Sequence, residues 1–205
     1  MAEMPENRKV FASAIAEHLT VIEALRGQVP ALERIAAEMA QALLRGNKVL
    51  WCGNGGSAAD SQHLAAELVG RFRRERRAMP AIALTTDTSI LTAIGNDYGY
   101  EHVFRRQVEA LCVPGDVLVG LSTSGNSRNV CLALEEARKL GAVTVVFTGA
   151  GGGAMQQVAD IALCVASKDT ARIQEGHILC GHMLCDWIEL EICARAGAEK
   201  ESAAR

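Results

Sequence analysis

The chain is poor in rings and in proline: Phe, Tyr and Trp make up 4% of its 205 residues, and Pro occurs 4 times. So few aromatics leave no stacking platform for single-stranded nucleic acid. An excess of one charge is also missing. The formal net charge of -3 argues against a surface built as a whole for a polyanion, so nucleic acid is not an expected partner. No uncharged apolar run reaches the roughly 18 residues of a membrane span. The first residues, Met1 to Pro5, do not start a basic segment followed by an apolar one. The seven Cys, at 52, 112, 131, 164, 180, 185 and 193, contain no CxxC pair. An odd set of thiols among apolar neighbours reads as small core residues in a reducing compartment, and the cytoplasm is the expected location.

What is present suits one folded domain: 49% of residues are hydrophobic and 19 are Gly. That domain is expected over 1–205, with N-terminal helices over 5–46 packed on an α/β core over 47–205. Val10, Phe11, Ile15, Leu19, Ile22 and Leu25 recur at helical spacing. Leu32, Ile35, Met39 and Leu43 do the same after Pro30, up to Gly46. From Lys48 the rhythm changes. Short apolar runs predict strands at 48–52, 81–84, 116–121, 143–148 and 161–165. Helical patterns lie between them at 57–73, 87–94, 102–111, 126–140 and, briefly, 155–158. Continuous apolar strands alternating with helices predict an α/β fold of three αβα layers, its five-stranded parallel sheet covered on both faces. A last helix over 171–195 is apolar nearly all round, through Ile178, Leu179, Met183, Leu184, Trp187, Ile188, Leu190 and Ile192. With the N-terminal helices it predicts a helical core shared between subunits.

Two Gly/Ser-rich turns follow strands, at the carboxyl ends where open α/β sheets bind ligands. In the first, Cys52-Gly53-Asn54-Gly55-Gly56-Ser57, glycines allow close approach of the backbone and a helix start offers free amides. A plain strand-to-helix turn capped by Ser57 would use the same residues. The second, Leu121-Ser122-Thr123-Ser124-Gly125-Asn126-Ser127, gathers four hydroxyls where a helix begins, more than capping needs. Such a loop suits a phosphate monoester held by donors and a helix dipole without a basic side chain. No GxxxxGK[ST] occurs, which excludes a nucleotide P-loop.

His63 and Glu67, spaced i,i+4, share one helix face and could hold a divalent metal, serve as an acid/base pair or be a surface pair. Arg172-Ile173-Gln174-Glu175 precedes His177 and His182. Gln174 and His182 are eight residues apart, about 12 Å of helix rise, so His177 is a rival ligand. Two further patterns read as structural. Gly149 to Ala154 matches GxGxxA, but the helical stretch after it is too short for a dinucleotide site. The five Arg of Arg71-Phe72-Arg73-Arg74-Glu75-Arg76-Arg77 predict a solvated or intersubunit loop rather than a phosphate or nucleic-acid contact.

Taken together, CGNGGSAADSQHLAAEL (52–68), AIGNDYG (93–99), GLSTSGNS (120–127) and ARIQEGHILCGH (171–182) resemble the sugar isomerase (SIS) fold and, within it, the phosphoheptose isomerase family. The resemblance spans nearly the whole chain. It implies that Ser122, Thr123, Ser124 and Ser127 hold a sugar phosphate. Asn54, Gly55, Gly56 and Ser57, with Asn96, Asp97, Glu67 and Gln174, would contact the rest of the sugar. His63, Glu67, Gln174 and His182 would bind one zinc ion per subunit, in a homotetramer with sites at subunit interfaces. The implied reaction converts sedoheptulose 7-phosphate to D-glycero-D-manno-heptose 7-phosphate for lipopolysaccharide heptose. It passes through an enediolate, with Glu67 and His182 as base and acid. A family relative that binds a replication initiator has a small residue at the place of Glu67 and Arg at that of Ser124, so this chain follows the catalytic pattern. The alternative readings are a non-catalytic homotetramer of that initiator-binding kind, and another sugar-phosphate isomerase or ligand-sensing SIS domain.

Overall fold

Apolar runs of three to six residues form strands because both of their faces can be covered by apolar side chains. In the computed structural model, which describes residues 6–203, they are β1 (Val49–Gly53), β2 (Ala81–Ala83), β3 (Val117–Ser122), β4 (Val143–Thr148) and β5 (Ile161–Cys164). All pair in parallel in the order β2-β1-β3-β4-β5. Gly53 registers with Leu121, and Ser122 with Thr148. The chain leaves β1 for one side of the sheet and later returns to β3 on the other. The crevice between the carboxyl ends of β1 and β3 is therefore the topological switch point, where this strand order binds ligands.

The helices are α1 (Glu6–Ala24), α2 (Val29–Leu44), α3 (Gly56–Val69), α4 (Thr88–Tyr98), α5 (Arg105–Leu111), α6 (Arg128–Lys139), α7 (Met155–Val158) and α8 (Thr170–Ala203). On one sheet face Ile35, Met39, Leu64, Leu184 and Ile188 of α2, α3 and α8 pack on Trp51, Val119 and Phe147. On the other, Phe104, Val108, Val130, Leu134 and Met155 cover Leu50, Leu118 and Val146. This is the three-layer arrangement expected.

Boundaries moved for identifiable reasons. The helix read as 57–73 stops at Val69, because Gly70 follows and the Arg76 guanidinium takes up the carbonyls of Glu67, Leu68 and Gly70. The helix read as 87–94 runs on to Tyr98, where Gly99 at φ +90° ends it. A 3₁₀ turn (Tyr100–His102) then precedes α5, so the stretch read as one helix over 102–111 is broken. The last helix starts at Thr170, capped by Asp169, whose Oδ1 accepts from the amide of Arg172, and it extends to Ala203. Pro5, where the first helix was expected to start, lies outside the described residues, as do the other ends of the 1–205 domain.

The outer stripe of α1 remains uncovered: Val10, Phe11, Ile15 and Leu19 are 61–70% exposed. Among the described residues no helix is long and apolar enough to cross a membrane.

One buried carboxylate sets the lower edge of the sheet. Asp116 accepts from the amides of Lys48 and Val113, from Asn47 Nδ2 and from Lys48 Nζ at 2.6 Å, tying the starts of β1 and β3 together. Burial pushes this carboxyl up, but those donors outweigh it and hold it below its ordinary 3.8. A lowered native pKa stabilises the fold above the unfolded pKa, and the contribution fades as pH falls through the native value. Asp116→Ala is expected to lower the unfolding free energy by about 3 kcal/mol at neutral pH. Urea unfolding of both proteins would measure this, and the gap should narrow in strong acid.

Candidate active site

The first glycine turn is shaped by close contacts. A Cβ on Gly53 would lie 2.8 Å from the backbone oxygen of Ser57, and Gly55 sits at φ +56°. Both are open only to glycine without strain. Gly56, the first residue of α3, lies beneath the amide of Gln174, whose Nε2 would be 2.3 Å from a Cβ there. Gln174 thus reaches from α8 to the mouth of β1.

The hydroxyl loop closes the opposite wall. Ser127 precedes α6, but its hydroxyl does not cap that helix. It meets the Ser122 hydroxyl at 2.8 Å, and Ser124 Oγ lies 3.3 Å from the same atom. Gly125 at φ +66° lets the loop turn inward, where a Cβ would strike the carbonyl oxygen of Gly152 at 2.2 Å. The Gly149–Gly153 turn supports the loop from behind. Gly125 O accepts from the amide of Met155, and Asn126 Oδ1 from that of Ala154. That backing role explains a glycine-rich turn that only superficially matched a dinucleotide fingerprint.

Between the walls is an open cavity of about 300 Å³. Asn54, Gly55, Gly56 and Ser57 line one side, Ser122, Thr123, Ser124 and Ser127 the other, and Thr170 and Gln174 close it from α8. Its donors are hydroxyls, amides and a helix start, with no Lys or Arg in the lining. Asn54 is held by a reciprocal amide pair with Asn129 (2.9 and 2.8 Å), and Tyr100 donates to its Oδ1 at 3.3 Å. Sequence reading had missed Asn129, Tyr100 and Thr170. Only Asn129 carried a signal, as a polar side chain on the apolar face of α6.

Farther along α3 a second cluster forms. His63 Nε2 is 3.3 Å from Glu67 Oε1 and 2.8 Å from His182 Nε2 of α8. One ligand atom from each residue lies within 4.8 Å of the others. Two imidazoles and a carboxylate converging this way form an N/O donor set that can hold a divalent metal, and their chemistry fits zinc. Burial first, then the neighbouring His63 and Arg73, lowers the pKa of His182 against the opposing pull of Glu67. The helices approach closely because Gly181 has no side chain: a Cβ there would meet Leu64 Cδ2 at 2.4 Å. Phe72, also missed from sequence, stacks on His182 with centroids 5.3 Å apart.

The remaining candidates fall elsewhere. Gln174, two turns before His182 on a continuous helix, sits on Gly56 in the hydroxyl-lined cavity, so in one chain three of the four expected metal ligands come together and the fourth does not. Asn96 and Asp97 bond to each other on the exposed face of α4, away from the cavity lining. His177 is no rival ligand. It is buried against Phe147 with Nε2 3.1 Å from Thr148 O, and burial pushes its pKa down to about 4. Asp60 lies three residues before His63, and burial raises its carboxyl to about 6 against the pull of His63. The arginine run, expected as a solvated or intersubunit loop, is partly tied to the chain's own last helix. Arg76 turns inward onto Glu189 of α8 and Arg74 onto Asp186, which the exposed Arg73 also meets at 2.8 Å, while Arg71 and Arg77 stay exposed.

The SIS domain family model matches residues 11–149. A phosphoheptose isomerase of Aquifex aeolicus is 55% identical over 189 residues, covering 92% of this chain and 97% of that protein. The solved structure of the phosphoheptose isomerase from Neisseria gonorrhoeae superposes with a TM-score of 0.84 at 45% identity, covering 89% of this chain and 98% of that one. That of a phosphoheptose isomerase from Francisella tularensis gives 0.83 at 38% identity, covering 91% and 100%.

Substituting Gly125 tests the hydroxyl loop without touching a donor. Gly125→Ala is expected to weaken binding of a phosphate monoester at least about tenfold, or roughly 1.4 kcal/mol, by calorimetry, with the fold retained by circular dichroism.

Proposed function

This chain belongs to the phosphoheptose isomerases, a family of SIS-domain proteins, and on that basis we propose that it isomerises sedoheptulose 7-phosphate to D-glycero-D-manno-heptose 7-phosphate. The product is the heptose precursor for lipopolysaccharide, made in the cytoplasm. The observation that carries the reading is the pairing of two sites along α3: a hydroxyl-lined cavity at its start and the His63/Glu67/His182 cluster farther on. Ser57 and His63 are six positions apart, about 9 Å of helix rise. That distance leaves room for a sugar chain with its phosphate at one end and its carbonyl at the other.

In this reading Ser122, Thr123, Ser124 and Ser127 donate to the phosphate, and the dipole of α6 adds to their effect. Asn54, oriented by Asn129, and the turn at Gly55 and Gly56 face the sugar hydroxyls. Glu67 takes the carbon-bound proton that must leave when the carbonyl moves between C2 and C1. His182 transfers a proton between the two oxygens. The electron pair left by the proton forms the enediolate, and its collapse at the other carbon completes the exchange. The two residues serve in both senses because the reaction is reversible. Zinc held by His63, Glu67 and His182 would act as a Lewis acid on the two adjacent substrate oxygens.

The same reading includes a homotetramer. The exposed stripe of Val10, Phe11, Ile15 and Leu19 is suited to burial against other copies. A neighbouring copy would bring a Gln174 to the zinc ligands and Asn96 and Asp97 to the sugar. The replication-initiator scaffold has no support among relatives named phosphoheptose isomerase, and Glu67 and Ser124 keep the catalytic pattern.

The test is product formation from sedoheptulose 7-phosphate with zinc and after chelation. Turnover should require zinc and fall at least about 100-fold in Glu67→Gln and in His182→Asn. No turnover by a zinc-loaded oligomer would overturn the assignment, and full activity in Glu67→Gln would remove Glu67 from the chemistry.

A further inference from the structure

The arginine-rich loop after α3 is held to α8 by a buried anion. Glu189 is fully buried on α8, two turns beyond His182. Its oxygens accept from three consecutive amides, those of Phe72 (2.8 Å), Arg73 (2.9 Å) and Arg74 (2.9 Å), and from Arg76 Nε at 3.1 Å. Three successive backbone N–H groups around one carboxylate form an anion nest, and here the anion belongs to the protein. The Arg76 side chain is 4% exposed, and its guanidinium donates onward to the carbonyls of Glu67 (2.9 Å), Leu68 (2.8 Å) and Gly70 (3.2 Å).

This pair therefore touches both helices that carry the metal-ligand cluster. On α3, Arg76 holds the backbone of Glu67 itself. On α8, Glu189 fixes the amide of Phe72, whose ring lies nearly parallel to the His182 imidazole, 18° between planes. The Arg73 guanidinium lies over the same Phe72 ring at 5.1 Å, so the ring is held from the loop as well. A loop needing only solubility would not bury a carboxylate and a guanidinium, because charges removed from water must be fully paired.

We propose that Glu189, paired with Arg76, is a positioning residue of the isomerase site, acting through Phe72 to hold the His182 imidazole in the orientation that faces His63 and Glu67. Neither touches the cavity lining. Their effect is on a neighbour's angle, the kind of support that typically changes metal affinity or activity by about 10- to 100-fold. The proposal rests on the isomerase reading for its kinetic consequence but not for its effect on metal binding.

The experiment compares Phe72→Leu, Phe72→Tyr, Glu189→Gln and the double variant Glu189→Gln/Phe72→Leu in the full-length protein. It measures kcat and KM for sedoheptulose 7-phosphate, and zinc affinity by chelator competition. Phe72→Leu should lower zinc affinity and kcat about tenfold or more with KM changed less than about twofold, and Phe72→Tyr, which keeps the ring, should recover most of both. Glu189→Gln should behave like Phe72→Leu, and the double variant should lose little more than either single one, because both act on one contact. Unchanged zinc affinity and kcat in Phe72→Leu would overturn the proposal, as would a loss confined to KM or full additivity in the double variant. If Glu189→Gln does not fold, the two Phe72 variants decide alone. If the wild-type protein binds zinc but does not isomerise the sugar, the isomerase reading fails while zinc affinity still decides the positioning role.

Discussion

Helices α3 and α8 run side by side with a glycine at each of two contacts, and the position of every group in the site depends on that spacing. Gly56 leaves room for the Gln174 amide, and Gly181 leaves room for Leu64. A methyl group at position 181 would press on the buried Leu64 side chain and force the helices apart, whereas one at position 56 would displace the Gln174 amide. At this separation His63 and His182, 119 residues apart in sequence, bring their Nε2 atoms to 2.8 Å. The two helices also run in the same direction, which is why Gln174 faces the start of α3 while His182 faces its second half. The hydroxyl-lined cavity and the His63/Glu67/His182 cluster are thereby divided along one helix pair.

The sheet supplies the other half of the arrangement. Crossing from β1 to β3 at the switch point places the two Gly/Ser turns opposite each other, and the Asn54–Asn129 amide pair joins them across the crevice. Behind the hydroxyl loop, the Gly149–Gly153 turn presses so closely that neither Gly125 nor Gly153 has room for a side chain. In the proposed reading, phosphate would be recognised by a loop held from both sides, with no basic residue in its lining. Rigidity replaces charge, since prepositioned amides and hydroxyls need little reorganisation to meet the anion.

Much of this was legible in the sequence because the signals were local. Apolar runs such as Val143–Thr148 announced buried parallel strands, and STSGNS carried more hydroxyls than a cap needs. The i,i+4 spacing of His63 and Glu67 placed both on one helix face. Nonlocal facts were hidden. Nothing in residues 70–77 shows that Arg76 turns inward, because its partner Glu189 lies more than 100 residues away on a helix that reads as uniformly apolar. His177 looked like a competing ligand until packing against Phe147 placed it in the core. The eight-residue gap between Gln174 and His182 is about 12 Å of helix rise. On a continuous helix Gln174 lies at the hydroxyl-lined cavity, against Gly56, while His182 meets His63.

The most direct test of the central claim, a metal centre built by α3 and α8 of one chain, is X-ray absorption spectroscopy of the zinc-loaded protein. Two imidazole ligands with oxygen donors and no sulfur are expected, with one imidazole lost in His63→Ala and one in His182→Ala. Thiolate ligands, or a spectrum unchanged by both substitutions, would contradict it.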